Sequence, residues 1–123
     1  MGTFTLRAVK TGVKFDLRAA NGQSILTSEV YSSRAACIRG LESVRACAPV
    51  APVLDLTEPL PASAPNPRFE MYCDKSGNYR FRMKARNGKI IAVSEAYSGR
   101  ANCLKGIDSV RLNAPDAAVE HVE

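Results

Sequence analysis

The chain has 123 residues, of which 46% are hydrophobic and 24% are charged, and its formal net charge is +5. That length suffices for one globular core, and no apolar run approaches the roughly 18 residues that a transmembrane helix needs. The first residues, "MGTFTLRAVKT", show neither the apolar core of a secretory signal nor a myristoylation signal, so we expect a cytoplasmic protein.

Three strands are predicted at the start of the chain. "FTLRAV" and "VKFDLRA" alternate in polarity, which directs Phe15 and Leu17 inward and Lys14, Asp16 and Arg18 outward. Asn21-Gly22 then gives a strong hairpin signal, because a type I′ turn needs a positive φ at both central residues. "SILTSE", from residue 24 to residue 29, is the third strand.

A helix follows the third strand. Cys37, Leu41 and Val44 recur at spacings of four and three residues, which indicates an amphipathic helix over about Ser33 to Cys47. Ser32 is the predicted N-cap. Gly40, which costs about 1 kcal/mol relative to alanine inside a helix, suggests a close approach between helix and sheet. Pro49 marks the helix end, because the residue before a proline is pushed out of the helical region.

The same pattern returns 66 positions later. Between residues 15 and 49, 18 of 35 positions are identical to their counterparts at 81–115. The second copy therefore predicts the strands "FEMYCD", "YRFRMKA" and "IIAVSE", an Asn87-Gly88 turn and a helix at about Gly99 to Leu112, with Ser98 as N-cap. Its second strand directs Phe81 and Met83 inward.

Two β-β-β-α repeats predict an α+β fold. One repeat would leave apolar surface open, whereas two can form a single antiparallel sheet of about six strands with two helices on one face, related by a pseudo-two-fold axis. We expect repeat one at 1–57, an extended proline-rich linker at 58–67 and repeat two at 68–123, in one monomeric domain. "VLDL" in the first repeat and "VEHV" at the end are candidates for short edge strands.

The segment "GNYRFRMKARNGKIIAVSEAYSGRANCLKGIDSVRLNAPDA" resembles the YegP-like family of small bacterial proteins of unknown function. The resemblance covers both repeats. It implies one sheet assembled from two units, with a short strand after each helix exchanged between them. It implies no activity.

Catalytic and metal-binding patterns are missing from the sequence. The four cysteines form no C-x-x-C pair, and His121 is the single histidine. Neither a G-x-S-x-G motif nor a phosphate-binding loop is present. We expect no catalytic residue, cofactor or metal, and we expect Cys37 and Cys103, which are equivalent in the two repeats, to be buried thiols.

The repeated "SE-x-YS-x-RA" is the first candidate binding site. It contributes Tyr31, Arg34, Tyr97 and Arg100. Helix N–H groups beside an arginine can hold a phosphate or carboxylate. In the structural alternative, Glu29 and Glu95 complement the helix dipole or pair with that arginine, while each tyrosine packs the turn.

The outward side of the second repeat is the other candidate. It presents Tyr72, Arg80, Arg82 and Lys84, near Lys14 and Arg18 of the first repeat, and an open sheet with basic and aromatic residues can bind nucleic acid. Asp16 and Glu70 should share that face, and a solvated surface explains the pattern equally. The sequence therefore favours a non-enzymatic binding or accessory module, with nucleic acid or a small anion as candidate partners.

Overall fold

The two repeats form the same series of secondary-structure elements. The computed structural model describes residues 2–59 and 63–122, so that the middle of the predicted linker, 60–62, lies outside the described residues. The first repeat consists of β1 (Thr3–Val9), β2 (Gly12–Arg18), β3 (Ser24–Ser28), α1 (Arg34–Cys47) and β4 (Val53–Asp55). The second consists of β5 (Arg68–Cys73), β6 (Tyr79–Lys84), β7 (Ile90–Val93), α2 (Arg100–Asn113) and β8 (Ala118–Val122). No helix in the described part of the chain is long and apolar enough to cross a membrane.

All the strands join one sheet, in the order β4-β5-β6-β7-β3-β2-β1-β8. The six inner strands are antiparallel, as predicted. The two edge strands, β4 and β8, run parallel to their neighbours, so the sheet is mixed. The sequence could not predict this orientation, because a strand that follows a helix is not fixed by a hairpin turn.

The edge strands are exchanged between the repeats. β4 of the first repeat pairs with β5 of the second, and β8 of the second repeat pairs with β1 of the first. This arrangement confirms the exchange that the family resemblance implied. Each repeat therefore completes the sheet of the other.

The core lies between the sheet and the two helices. Phe4 packs edge-on against Phe15 at 5.7 Å between ring centroids, and Phe69 packs against Phe81 at 6.0 Å in the same way. Leu41, Ile107, Cys37 and Cys103 are buried, as predicted. Burial of each large apolar side chain contributes about 1.5–3 kcal/mol.

The Asn-Gly hairpins form, but the predicted type I′ turn is wrong. Gly22 and Gly88 have φ of 86° and 83°, whereas no residue other than glycine has a positive φ in the described chain. The amide of Gly22 donates to the carbonyl of Ala19, 2.9 Å away, so Asn21 occupies the third position of a turn that ends at the glycine. One left-handed residue after a tight turn is the pattern of a three-residue hairpin loop.

The predicted N-caps, Ser32 and Ser98, are also wrong. Ser33 caps α1 by accepting a hydrogen bond from the Ala36 amide at 3.1 Å, and Gly99, which has no side chain to do so, caps α2. The apolar stripe fixes a helix start only to within a residue. The helices end at Cys47, as predicted, and at Asn113, one residue later than predicted. The predicted reason is wrong, because the residues before the prolines, Ala48 and Ala114, keep helical φ and ψ.

An arginine from each helix holds the loop that leads to the other repeat's exchanged strand. Arg45 of α1 donates to the carbonyls of Ala114, Pro115 and Ala117, at distances from 2.9 to 3.4 Å. Arg111 of α2 donates to the carbonyl of Ala51 at 2.6 Å. Each guanidinium also lies 5.4 Å from the centre of a phenylalanine ring in β1 or β5. These contacts explain the arginine of the repeated Ser-Val-Arg sequence.

Candidate binding surfaces

The two repeats meet at a short seam in the middle of the sheet. β3 and β7 pair at two positions only, Thr27 with Val93 and Ser28 with Ala92. Beyond the seam, the chain after β3 turns toward β2, where Tyr31 pairs with Val13. The chain after β7 turns the other way and pairs with β6. A groove opens at each end of the seam as a result.

Each groove is built from both repeats. The first groove, about 370 Å³, lies between Glu29, Tyr31, one side of α1 and the β6–β7 turn. The second groove, about 410 Å³, lies between Glu95, Tyr97 and the β2–β3 turn. Both volumes fall within the roughly 300–1,000 Å³ of small-molecule sites. The sequence pattern indicated the tyrosines but not the turns that form the opposite walls.

Each tyrosine is wedged between the sheet and its own helix. The ring of Tyr31 stacks on Phe15 at 6.3 Å, and a Cβ added to Gly40 would lie 2.5 Å from Tyr31 Cζ. Tyr97 and Gly106 repeat this arrangement. The predicted close approach at the glycines is therefore to a tyrosine. Burial raises the pKa of both tyrosines, and nearby cysteine and glutamate side chains add to the effect, so both hydroxyls stay protonated at neutral pH.

Arg34 and Arg100 contact the exchanged strands instead of Glu29 and Glu95. Arg100 pairs with Asp55 of β4, and its Nε donates to the carboxylate at 3.0 Å. Arg34 donates from Nη1 to Nδ1 of His121 in β8, at 2.6 Å. Asp55 and His121 are equivalent positions of the repeats. The predicted glutamate–arginine pairing is therefore wrong.

The helix N-termini offer little to an anion. Ser33 already accepts an N–H of the first turn of α1, and both arginines point to the exchanged strands. The start of α2 lacks a side-chain cap.

Glu70 organises the open face of the second repeat. Its carboxylate lies 2.6 Å from Arg68, 2.7 Å from Arg82 and 3.3 Å from Lys84, and its side chain is only 2% exposed. Burial alone would raise the pKa of Glu70, but hydrogen bonds from Arg82, Arg68 and Lys84 outweigh it and lower the pKa. The expectation of a solvated glutamate is wrong, because the three long side chains cover it.

The other predicted residues of this face are also held by neighbours. Arg80 pairs with Asp74 at 2.9 Å, and the guanidinium of Arg82 lies 4.8 Å from the centre of the Tyr72 ring. In the first repeat, Asp16 is buried and accepts from Arg7 and Thr27 at 2.9 and 2.7 Å. The structure thus brings Tyr72, Arg80, Arg82 and Lys84 together and leaves no bare aromatic ring among them.

The open face nevertheless carries a large positive excess. Its inner strands direct seven cationic side chains outward against two carboxylates, Asp16 and Glu70. No carboxylate of the described residues lies within 4 Å of two of those cations. The seven are Arg7, Lys14, Arg18, Arg68, Arg80, Arg82 and Lys84, and the two unpaired ones are Lys14 and Arg18.

The buried thiols are poor nucleophiles. Burial raises the pKa of Cys37, and it raises the pKa of Cys103 to about 11. Cys73, the last residue of β5, is exposed. At neutral pH Cys37 and Cys103 are therefore protonated, and they act as small apolar residues.

A family model for a domain of unknown function, DUF1508, matches residues 10–55 and 74–120, one match for each repeat. The chain belongs to the DUF1508 family. This DUF1508 protein is 35% identical over 122 residues to a UPF0339 protein from the 5′ region of the ptx operon of Stutzerimonas stutzeri, covering 98% of this chain and 96% of that one. It is 33% identical over 107 residues to YegP of Escherichia coli, covering 87% and 84% of the two chains. The resemblance to YegP-like proteins is therefore confirmed.

Solved structures and a shorter relative support the same architecture. The solution structure of YegP from E. coli, described as of unknown function, matches this DUF1508 protein with a TM-score of 0.80 at 30% identity, over 98% of this chain and 91% of that one. A UPF0339 protein of Treponema denticola is 64% identical over 55 residues, which are 45% of this chain and 95% of that protein. That relative is one repeat long.

Proposed function

We propose that this protein is a non-enzymatic binding module whose open sheet face binds single-stranded nucleic acid through its phosphates. The observation that supports this proposal best is the positive excess on that face, where seven cations stand against three carboxylates, Asp16, Glu70 and Asp74, the partner of Arg80. Such an excess attracts a polyanion and releases its counterions on binding. The helices cover the opposite face, so the open face is the broad surface available to an extended polymer.

Binding on this face should be independent of base sequence. Proteins that stack bases present bare aromatic rings, whereas the Tyr72 ring lies beneath the guanidinium of Arg82. The cations around Glu70 are also fixed by its carboxylate, which leaves them a local excess of two charges. Recognition therefore rests on fixed charges that track the phosphates.

Lys14 and Arg18 are the residues to change first. Replacement of Arg82 or Lys84 would leave the buried carboxylate of Glu70 with fewer partners, and an unpaired buried charge is strongly destabilising. Replacement of Lys14 or Arg18 avoids this cost, since neither pairs with a carboxylate among the described residues. The double variant Lys14→Gln/Arg18→Gln thus lowers the charge of the face while preserving the fold.

The test is a titration of a fluorescent single-stranded oligonucleotide at several salt concentrations. Wild type should bind with an affinity that falls steeply with salt, and the double variant should show a log–log slope smaller by about 1.4, or 0.7 for each phosphate that is no longer neutralised. The matched control, Lys75→Gln/Lys105→Gln, removes the same charge from a turn and from α2. It should leave the slope unchanged. Equal slopes in all three proteins, or no binding at low salt, would refute the proposal.

The proposed binding role includes no catalytic step. Nucleic-acid binding also assumes the cytoplasmic location expected from the sequence. Small-anion binding at the helix N-termini is the less favoured alternative, because Arg34 and Arg100 are engaged elsewhere.

A further inference from the structure

We propose that the first groove is a binding site for a short aliphatic peptide with free ends, about two residues long. This site lies at the seam between the repeats, and the inference does not depend on nucleic-acid binding by the open face. Three features carry it: unpaired charges of both signs, the distance between them along the groove, and an apolar wall.

The groove contains one carboxylate and two cations that the protein leaves unpaired. Glu29, Arg39 and Lys89 all line it. Within the described residues, none of the three lies within 4 Å of an oppositely charged group. A ligand with an ammonium group at one end and a carboxylate at the other would satisfy both kinds of charge.

The positions of these charges along the strands match a dipeptide. The amide of Glu29 donates to the carbonyl of Ile91 at 3.4 Å, so Glu29 lies opposite Ile91, next to the seam. Lys89 lies two residues from Ile91, or about 7 Å farther along the strand. Two residues of extended peptide span about 7 Å as well. The ammonium end should therefore lie at Glu29, and the carboxylate end at Lys89 and Arg39.

The rest of the groove suits the middle of such a peptide. Ile90 and Ile91 of β7 both line the groove and add apolar surface for an aliphatic side chain. Tyr31 and Ser43 add hydroxyl groups. Asn87 accepts the amide of Lys89 with Oδ1 at 3.0 Å, which keeps its side-chain nitrogen available as a donor. Hydrogen bonds to the peptide's single amide unit are thus available inside the groove.

The second groove can be compared with the first within the same molecule. It keeps the glutamate, the tyrosine and an isoleucine as Glu95, Tyr97 and Ile25. Gln23 occupies the position equivalent to Lys89. Arg18, the cation that lines the second groove, donates to the carbonyl of Gly22 at 3.0 Å. The carboxylate end of a peptide therefore has fewer partners there. We expect the first groove to bind the peptide more tightly.

The experiment uses three probes that differ only in their ends: leucyl-leucine, N-acetyl-leucyl-leucine and leucyl-leucinamide. Each is titrated into the ¹⁵N-labelled full chain. Leucyl-leucine should shift amides of residues 29–31 and 87–91, and blocking either end should weaken binding by about tenfold, the equivalent of one charge-assisted contact. Failure of leucyl-leucine to bind at millimolar concentration, or equal binding of all three probes, would overturn the proposal.

Two variants identify which groove residue binds each end of the peptide. Glu29→Gln should abolish the penalty for the acetylated probe alone, and Lys89→Gln should reduce the penalty for the amidated probe alone. Glu95→Gln, the matched change in the second groove, should leave all three affinities unchanged. Unaltered penalties in the first two variants, or shifts centred on the second groove, would also overturn it. Because these variants keep the residues of the open face, their outcome is separate from that of the oligonucleotide titration.

Discussion

At the scale of single residues, Tyr31 and Tyr97 set the distance between each helix and the sheet. Each ring fills the space beside a helical glycine and stacks on a phenylalanine of β2 or β6. Glycine inside a helix normally costs stability, so its presence at both positions is explained by the tyrosine. The tyrosine in turn forms the floor of the groove beside the seam.

Gly40→Ala should therefore destabilise the protein, although the same change in an open helix would stabilise it by about 1 kcal/mol. The added methyl group meets the tyrosine ring, and overpacking of this kind costs about 1–3 kcal/mol. Urea unfolding measures the loss. Tyr31→Leu should remove the penalty in a double-mutant cycle, and Gly40→Ala as stable as wild type would contradict this packing.

Glu70 should make stability depend on acidity. Its pKa is lower in the folded than in the unfolded chain, because the bonds from Arg82, Arg68 and Lys84 outweigh burial. Its contribution is thus complete above the unfolded pKa of about 4.3 and is lost as the pH falls through the lower folded value. Glu70→Gln should be clearly less stable than wild type at pH 7.

The difference between Glu70→Gln and wild type should then shrink below pH 4, because protonation makes the native side chain neutral as well. Urea unfolding at pH 7, 5, 4 and 3 measures this convergence. A difference that stays constant across the series would show that the carboxylate is not held by its three cations.

At the scale of elements, the exchanged strands are held by helices of the opposite repeat. Arg45 binds three carbonyls before β8, and Arg111 binds one before β4. The side chain of β8 residue His121 adds a contact with Arg34, where Asp55 adds an ion pair with Arg100. Neither edge strand is attached by its ladder alone.

Arg45→Ala should loosen β8 and leave β4 intact. Hydrogen bonds to a charged group contribute about 1.5–3 kcal/mol, so amide exchange in residues 118–122 should accelerate by at least about tenfold. Arg111→Ala, the matched change, should accelerate exchange in residues 53–55 instead. Uniform acceleration in both variants would contradict separate attachment.

The sequence predicted the elements more completely than their arrangement. Alternation and helical spacing gave the core positions Phe15, Phe81, Leu41 and Ile107 because burial repeats with the period of the element. The duplication gave the pseudo-two-fold arrangement. The parallel edges and the Ser33 cap depend on contacts distant in sequence or on a single residue's backbone, and local patterns carry neither.

The candidate binding surfaces were predicted only in part, because they also depend on contacts between residues distant in sequence. Tyr31 and Tyr97 stood out because both repeats keep them. Lys89 and Ile90 did not stand out, because they line the same groove as Tyr31 only in the folded chain. That groove opens where the chain turns away from the two-residue pairing of β3 and β7. Glu70 was placed on the correct face, but its burial beneath three cations required the register between β5 and β6.

At the scale of the molecule, the two repeats supply each other's edge strands. Each repeat's exchanged strand is already accepted by the other repeat within one chain. We therefore predict a monomer in solution. Light scattering after gel filtration should give the mass of one chain, 13.3 kDa. A stable dimer at micromolar concentration would show that strand exchange also occurs between chains.

The measurement that tests the central claim most directly is the map of amides that an oligonucleotide perturbs. We predict that, at low salt, a single-stranded oligonucleotide shifts amides along β1, β2, β5 and β6, near the seven outward cations, and leaves the exposed side of α1 and α2 unchanged. Shifts concentrated on the helices, or no shift on the sheet while the oligonucleotide binds, would contradict the open face as the binding surface.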